Sequence, residues 1–141
     1  MDIRPLTPAY AVSPQIGVEH IPAIVAAGYR TILCNRPDAE VPPHLQADAI
    51  RAAAEAAGLH FVLIPVTHQT LNMDMVHAQN DAMAASDGPV LAYCASGTRS
   101  SIVWSLGQAG KMTTDDIIAA TTKAGYDLQG MRGQLDSLAQ T

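Results

Sequence analysis

A cysteine and an arginine lie in a short glycine-containing segment of the chain, with four residues between them. The segment reads Cys94-Ala95-Ser96-Gly97-Thr98-Arg99, and Ser100 follows it. The thiolate form of cysteine is a nucleophile, and the planar guanidinium of arginine binds oxyanions through several N–H donors. These two residue types at this spacing indicate nucleophilic chemistry on an anionic or sulfur-containing substrate, with Cys94 as the nucleophile and Arg99 as the anion-binding residue.

The other residues of the segment suit an anion-binding loop. A glycine permits a positive φ in a tight turn, and three hydroxyl side chains can donate hydrogen bonds to the sulfur or to its ligand. Converging backbone N–H groups and the positive end of a helix dipole favour a thiolate over a thiol. A buried, inert cysteine is the alternative interpretation. The expected anion-binding positions are Ala95, Ser96, Gly97, Thr98 and Ser100.

The segment lies between a predicted strand and a predicted helix. Apolar runs rich in β-branched residues predict buried strands at 29–34, 60–64 and 90–93. Apolar residues at helical spacing predict helices at 18–27, 45–57, 100–108, 114–124 and 128–139, and another from an Asn72 cap to 85. Thr113 or Thr114 is expected to cap the helix at 114–124. The extended start is interpreted as a hairpin of 3–5 with 11–13.

Strands that alternate with helices predict an α/β fold. We expect one three-layer domain over residues 1–141, with a central, mostly parallel sheet flanked by helices on both faces. Cys34 ends a predicted strand, and Pro65 and Cys94 each follow one. Because such sheets bind ligands beyond the carboxyl ends of their strands, these residues mark the expected active edge.

Composition and charge narrow the class of ligand. The 141 residues are 48% hydrophobic and 15% charged, with a net charge of -5. The absence of a basic stripe argues against a nucleic acid partner and favours a small anionic or sulfane-sulfur substrate. No apolar run has the length of a membrane span, and the N-terminus lacks a signal-peptide core. We therefore expect a cytoplasmic protein without a membrane partner. The histidine and cysteine spacings predict no metal, and no cofactor is expected.

The loop resembles the Cys-(x)n-Arg signature that protein tyrosine phosphatases and rhodaneses share. The string from Tyr93 to Ser100 is similar to single-domain rhodaneses in particular. Three further segments resemble a small bacterial family called beta-lactamase hydrolase-like protein, phosphatase-like domain. These are Ile32-Leu33-Cys34-Asn35-Arg36-Pro37-Asp38, Ile64-Pro65-Val66 and Ala124-Gly125-Tyr126-Asp127-Leu128. The resemblance implies a dual-specificity-phosphatase-like, that is protein-tyrosine-phosphatase-like, fold with a catalytic cysteine at Cys94 and an anion-binding arginine at Arg99. The family loop usually has an arginine where this chain has Ala95, which removes one positive charge from the pocket rim.

The length of the loop favours sulfur transfer. Phosphatase loops of this type have five residues between cysteine and arginine, whereas this loop has four. A compact sulfane sulfur is expected to fit the shorter loop more easily than a phosphoryl group, whose equatorial oxygens all need donors. The expected activity is a rhodanese-like sulfurtransferase with a Cys94 persulfide. The alternatives are a cysteine-dependent phosphatase with a Cys94 phosphocysteine, and a non-catalytic module that binds anions or persulfides.

Four further residues are candidate accessory groups. A phosphatase of this type needs a general acid for the leaving oxygen, and the loop 65–70 contains no carboxylate. His68 in that loop and Asp38 after the first strand are candidates, with a solvated loop residue as the alternative for each. Arg36 is a candidate pocket residue. Cys34 is expected to be buried and to pack in the protein interior, and the alternative is a regulatory disulfide to Cys94.

The resemblance also implies a candidate protein partner. Some relatives are fused to metallo-β-lactamase-like, persulfide-oxidising domains. A freestanding copy is therefore a candidate to serve such an enzyme in trans. The sequence does not determine the oligomeric state.

Overall fold

Five strands form one sheet in the computed structural model, which describes residues 1–140. The strands are β1 (Arg4–Thr7), β2 (Tyr10–Ser13), β3 (Thr31–Cys34), β4 (His60–Leu63) and β5 (Val90–Tyr93). Their spatial order is β1-β2-β5-β3-β4, and β1 pairs with β2 in antiparallel fashion while the other pairs are parallel. The central strand is therefore β5, so the loop that follows it begins in the middle of the sheet.

Helices cover both faces of the sheet. In the described part of the chain they are α1 (Ile21–Ala26), α2 (Ala47–Ala56), α3 (Met73–Ala85), α4 (Thr98–Gln108), α5 (Thr114–Lys123) and α6 (Arg132–Ala139). The first two pack on one face, where Ile24 and Ile50 are buried. The other four pack on the opposite face around Val76, Trp104 and Leu135. The expected mostly parallel sheet between two helical layers is confirmed. None of the helices in residues 1–140 has the length and apolar content that a membrane span requires.

Burial on both faces explains the apolar sequence of β5. Val90 and Ala92 face the layer that contains α3 to α6, and Leu91 and Tyr93 face the layer that contains α1 and α2. Successive side chains of a strand point to opposite faces. A strand covered on both sides is therefore apolar at every position, which is the pattern that the sequence shows.

The start of α4 differs from the predicted boundary, and the difference affects the loop. The helix begins at Thr98 rather than at 100, because Gly97 adopts a φ of 96° and occupies the N-cap position. The caps expected for two other helices are present, since the side chains of Asn72 and Thr113 each accept a hydrogen bond from the first turn. The earlier start brings the N-terminus of α4 directly against the residues that follow Cys94.

Candidate active site

Cys94 lies at the end of β5 with its sulfur held inside the following loop. The residue is 1% exposed, and its Sγ accepts a hydrogen bond from the Gly97 N–H at 3.1 Å. The left-handed conformation of Gly97 turns this N–H back toward the sulfur. The first N–H groups of any α-helix lack partners inside the helix. The loop and the N-terminus of α4 thus provide an environment that stabilises an anion.

Arg99 is anchored by a carboxylate and a carbonyl. Its Nη1 donates to Glu40 Oε2 at 2.8 Å and to the Val66 carbonyl at 2.9 Å, and its Nη2 donates to Glu40 Oε1 at 2.7 Å. These bonds use three of the five guanidinium N–H donors. The Nε–H and one Nη2–H are not used by Glu40 or Val66, and the guanidinium also interacts with the Cys94 sulfur. The Arg99 pKa is raised, first by the hydrogen bond to Glu40 and further by the neighbouring Cys94 sulfur.

Glu40 connects two arginines at the rim of the site. Arg36 Nε donates to Glu40 Oε1 at 3.2 Å, and Arg36 Nη1 donates to the Gln15 side chain at 3.2 Å. The Gln15 N–H in turn donates to the Ala95 carbonyl at 3.2 Å. The hydrogen bond from Arg99, with a smaller effect of Arg36, holds the pKa of Glu40 below its usual range. Glu40 is therefore a carboxylate at neutral pH.

A cleft of about 360 Å³ opens over the loop. It is lined by Glu40, Thr67, His68, Gln69, Ala95, Ser96, Thr98 and Arg99. The hydroxyls of Ser96 and Thr98 share a hydrogen bond of 2.9 Å at its wall. Because Glu40 and Arg99 are paired, the lining carries little net charge. The cleft therefore suits a small group better than an extended polyanion.

A buried polar network contacts the first turn of α4 through the Ser100 carbonyl. The Tyr10 hydroxyl donates to the Ser100 carbonyl at 3.0 Å and accepts from Gln79 Nε2 at 2.9 Å. Asn35 Nδ2 donates to Gln79 Oε1 at 3.1 Å. Burial, with a smaller effect of the nearby Cys94, raises the Tyr10 pKa, so its hydroxyl keeps its proton. The Ser100 Oγ is buried and has no hydrogen-bond partner among residues 1–140.

Two of the four accessory candidates lie at the cleft or its rim. His68 is exposed and lines the cleft, and Arg36 reaches the rim through Glu40. Asp38 serves the fold instead, because its Oδ1 accepts the Ala47 N–H at 2.8 Å where α2 begins. A carboxylate used in this way satisfies a donor that the helix leaves unpaired.

Cys34 and Cys94 carry free thiols. The strands that precede them are neighbours, as the disulfide alternative requires, and Cys34 is paired with Tyr93. The Cys34 Sγ, however, donates to the Arg36 carbonyl at 3.3 Å, whereas the Cys94 Sγ accepts from Gly97. Cys34 packs in the layer under α1 and α2. Burial raises the pKa of its thiol, which is typical of an unreactive cysteine.

Glu40 and Tyr126 contact the loop, and sequence analysis identified neither as a site residue. The Tyr126 hydroxyl donates to the Ser96 carbonyl at 2.8 Å. Glu40 has one local signal, its position four residues after Arg36, which is a spacing that pairs charges on a helical turn. Tyr126 lies in one of the segments that resemble the family, but nothing in its neighbourhood indicates a contact 30 residues away.

Replacing Glu40 by glutamine is expected to lower the free energy of unfolding by about 1 kcal/mol at neutral pH. The carboxylate is 33% exposed, so solvent screening keeps the effect of its ion pairs at this size. A carboxyl with a lowered folded pKa stabilises above its unfolded pKa, and this stabilisation is lost as pH falls through the folded pKa. The difference in the free energy of unfolding between wild type and Glu40→Gln should therefore be constant above about pH 5 and should disappear as the pH falls below about 4.

Thermal unfolding across this pH range measures the Glu40 effect. The matched control is Glu55→Gln, at an exposed position of α2, which should change stability by less than about 0.5 kcal/mol. A Glu40→Gln difference that persists unchanged in acid would contradict the assigned ion pair.

Comparison with known proteins places these residues in a family. Residues 2–111 match the family described as beta-lactamase hydrolase-like protein, phosphatase-like domain. A beta-lactamase hydrolase-like protein of Xylella fastidiosa strain Temecula1 is 33% identical over 130 residues, which make up 91% of this chain and 30% of that protein. The chain thus spans about 30% of the length of this curated relative.

Solved structures share the fold over the whole chain. The crystal structure of nma1982, a candidate phosphatase from Neisseria meningitidis Z2491, matches with a TM-score of 0.85 and 34% identity, covering 98% of this chain and 99% of that one. The core catalytic domain of the PP-IP phosphatase SIW14 from S. cerevisiae matches with a TM-score of 0.69 and 11% identity, over 99% of this chain and 90% of that one. The expected protein-tyrosine-phosphatase-like fold is confirmed. The chain belongs to the beta-lactamase hydrolase-like protein, phosphatase-like domain family.

Proposed function

We propose that the protein is a cysteine-dependent phosphatase that hydrolyses phosphate monoesters through a Cys94 phosphocysteine. The observation that carries this proposal is the position of Arg99, whose guanidinium interacts with the Cys94 sulfur and keeps an Nε–H and an Nη2–H that Glu40 and Val66 do not use. Membership of a phosphatase-like family and a phosphatase-like fold support it. The family and the fold favour phosphatase activity, whereas the length of the loop favours sulfur transfer.

The shorter loop is compatible with a phosphoryl group if the helix supplies donors. Because α4 begins at Thr98, its first N–H groups lie next to the loop. Glu40 and Val66 hold Arg99 in one orientation, so its donors need no reorganisation during the reaction. The buried, unpartnered Ser100 hydroxyl adds a donor. Together these groups replace what a fifth loop residue would contribute.

In the first step the Cys94 thiolate attacks phosphorus, and the bond from phosphorus to the leaving oxygen breaks. Arg99 and the loop N–H groups donate to the phosphoryl oxygens. His68, which lines the cleft, gives its proton to the leaving oxygen. Glu40 is unsuited to this role, because its lowered pKa leaves it without a proton at neutral pH.

In the second step a water molecule attacks the phosphorus of the phosphocysteine. The neutral imidazole of His68 accepts the proton of this water, and the sulfur–phosphorus bond breaks. Inorganic phosphate leaves, and the Cys94 thiolate and protonated His68 are restored for another turnover.

Sulfur transfer is the second candidate function, favoured by the four-residue spacing between Cys94 and Arg99. The Cys94 thiolate would attack the outer sulfur of thiosulfate, releasing sulfite and forming a persulfide. Cyanide would then remove this sulfur as thiocyanate and restore the thiolate. The low net charge of the cleft is compatible with a small donor of this kind.

Parallel assays with the same purified protein separate the two functions. We expect kcat/KM for p-nitrophenyl phosphate to exceed kcat/KM for thiosulfate by at least about tenfold, since an active site discriminates substrates by this ratio. Release of p-nitrophenol measures the first activity, and formation of thiocyanate with cyanide as acceptor measures the second. The reverse ratio would overturn the phosphatase proposal in favour of sulfur transfer. Neither activity above a protein-free blank would leave the binding module as the better description.

A further inference from the structure

One peptide unit connects the Cys94 sulfur to Tyr126. The Gly97 N–H donates to Cys94 Sγ at 3.1 Å, and the Ser96 carbonyl of the same peptide unit accepts from the Tyr126 hydroxyl at 2.8 Å. The N–H and C=O of a trans peptide lie in one plane and point in opposite directions. A contact that holds the Ser96 oxygen in place therefore also sets the direction of the Gly97 N–H.

Tyr126 is held firmly from two sides. It is 6% exposed, and its own N–H donates to the Thr121 carbonyl at the end of α5. The Arg4 guanidinium lies 5.1 Å from the centre of its ring, and Arg4 also donates to the Ala124 carbonyl and pairs with Asp2. Burial raises the Tyr126 pKa, so the hydroxyl keeps the proton that it donates.

The tyrosine also lies close against the loop backbone. A Cβ at Gly97 would overlap the Tyr126 hydroxyl, so the ring limits how far this part of the loop can move. Tyr126 comes after residues 2–111, which match the family. The contact therefore brings a residue from the C-terminal part of the chain to the nucleophile.

We propose that Tyr126 is a positioning residue for the Cys94 nucleophile. By holding the Ser96 carbonyl, it aims the Gly97 N–H at the sulfur and thereby stabilises the thiolate. A hydrogen bond to the carbonyl also polarises the peptide, which strengthens its N–H as a donor. The effect on turnover rests on the proposed function, whereas the effect on thiol reactivity does not.

The variant Tyr126→Phe removes the donor and keeps the ring beside Arg4. We expect alkylation of Cys94 by iodoacetamide to be about fivefold slower at about pH 6.5, because one hydrogen bond in the path to the sulfur is lost. The two rates should differ less at about pH 9.5, because alkaline solution favours the thiolate of any cysteine. In the phosphatase assay kcat should fall by a similar factor, with KM changed less than about twofold. Peptide mass spectrometry counts Cys94 separately from Cys34.

The matched control is Tyr29→Phe, at a half-buried tyrosine that precedes β3, and its alkylation profile should equal that of the wild type. An alkylation rate of Tyr126→Phe equal to that of the wild type in mild acid would overturn the proposal. Alkylation slowed by the same factor at both pH values would also overturn it, because that result indicates a disordered loop. If neither the wild type nor Tyr126→Phe hydrolyses phosphate esters but their alkylation profiles differ as expected, the proposed function fails and the role of Tyr126 stands. If the wild type and Tyr126→Phe hydrolyse phosphate esters at equal rates and are alkylated at equal rates, the proposed function stands and the role of Tyr126 fails.

Discussion

Cys94→Ser is expected to lower the hydrolysis of p-nitrophenyl phosphate by at least about 10³-fold, because a serine hydroxyl is not ionised at neutral pH and is a far weaker nucleophile than a thiolate. Serine is nearly the same size as cysteine, so the fold should survive. We expect the midpoint of thermal unfolding to move by less than about 4 °C, which corresponds to about 1 kcal/mol for a chain of this size. Initial rates and unfolding monitored by circular dichroism measure the two effects.

Cys34→Ser is the matched control for this experiment. Cys34 is also buried at the end of a strand, and a serine there can still donate to the Arg36 carbonyl as the thiol does. Its activity should remain within about threefold of the wild type, because the Cys34 thiol donates to the Arg36 carbonyl and packs in the layer under α1 and α2. More than about 1% residual activity in Cys94→Ser would contradict covalent catalysis at this sulfur. Equal losses in both variants would indicate damage to the sheet edge rather than loss of a nucleophile.

Gly97→Ala is expected to lower both stability and activity. An alanine would have to adopt a φ of 96°, which costs about 1–3 kcal/mol, and its Cβ would overlap the Tyr126 hydroxyl. Relief of this overlap moves either the tyrosine or the Gly97 N–H that donates to the sulfur. Loss of one such donor typically lowers kcat by about 10²-fold. Thermal unfolding and the rate of p-nitrophenol release measure the two losses.

A second glycine separates backbone strain from the effect on the loop. Gly28 has a φ of 95°, but a Cβ there would meet nothing within 4 Å. Gly28→Ala should therefore lose stability to a similar or smaller degree, about 1–2 kcal/mol, and keep its activity. If Gly97→Ala retained full activity, the Gly97 N–H would have no part in catalysis.

Local signals predicted most of the secondary structure. The apolar runs predicted β3, β4 and β5 to within two residues, and the caps at Asn72 and Thr113 are present. These features depend on neighbouring residues, so the sequence displays them directly. The start of α4 was placed two residues late, because Gly97 was interpreted as part of the loop rather than as the N-cap.

The role of β2 was not predictable from its sequence. A short hairpin with β1 was expected, and it is present. The same strand also pairs in parallel with β5 and leads into Gln15, which donates to the Ala95 carbonyl. Pairing with a strand about 80 residues later in the chain depends on how the sheet is assembled, and four residues that are all buried do not specify their partner.

The Cys94 loop depends on local features, and the sequence by itself determined these features. A buried strand, a glycine able to adopt a positive φ and a following helix place Cys94 and Arg99 in one short loop. The prediction that they act as nucleophile and anion-binding arginine therefore rests on local sequence features. Loop length alone, however, favoured sulfur transfer, whereas the fold and family support the phosphatase alternative.

Only the tertiary structure decided how this loop is supported. Glu40 reaches Arg99 across 59 positions of sequence, and Tyr126 reaches Ser96 across 30. The tertiary structure also places the Asp38 carboxylate at the start of α2 and directs the Cys34 thiol to the Arg36 carbonyl. Such contacts arise when strands and helices pack, and the orientation of a charged or hydroxyl side chain then depends on partners that no local pattern encodes.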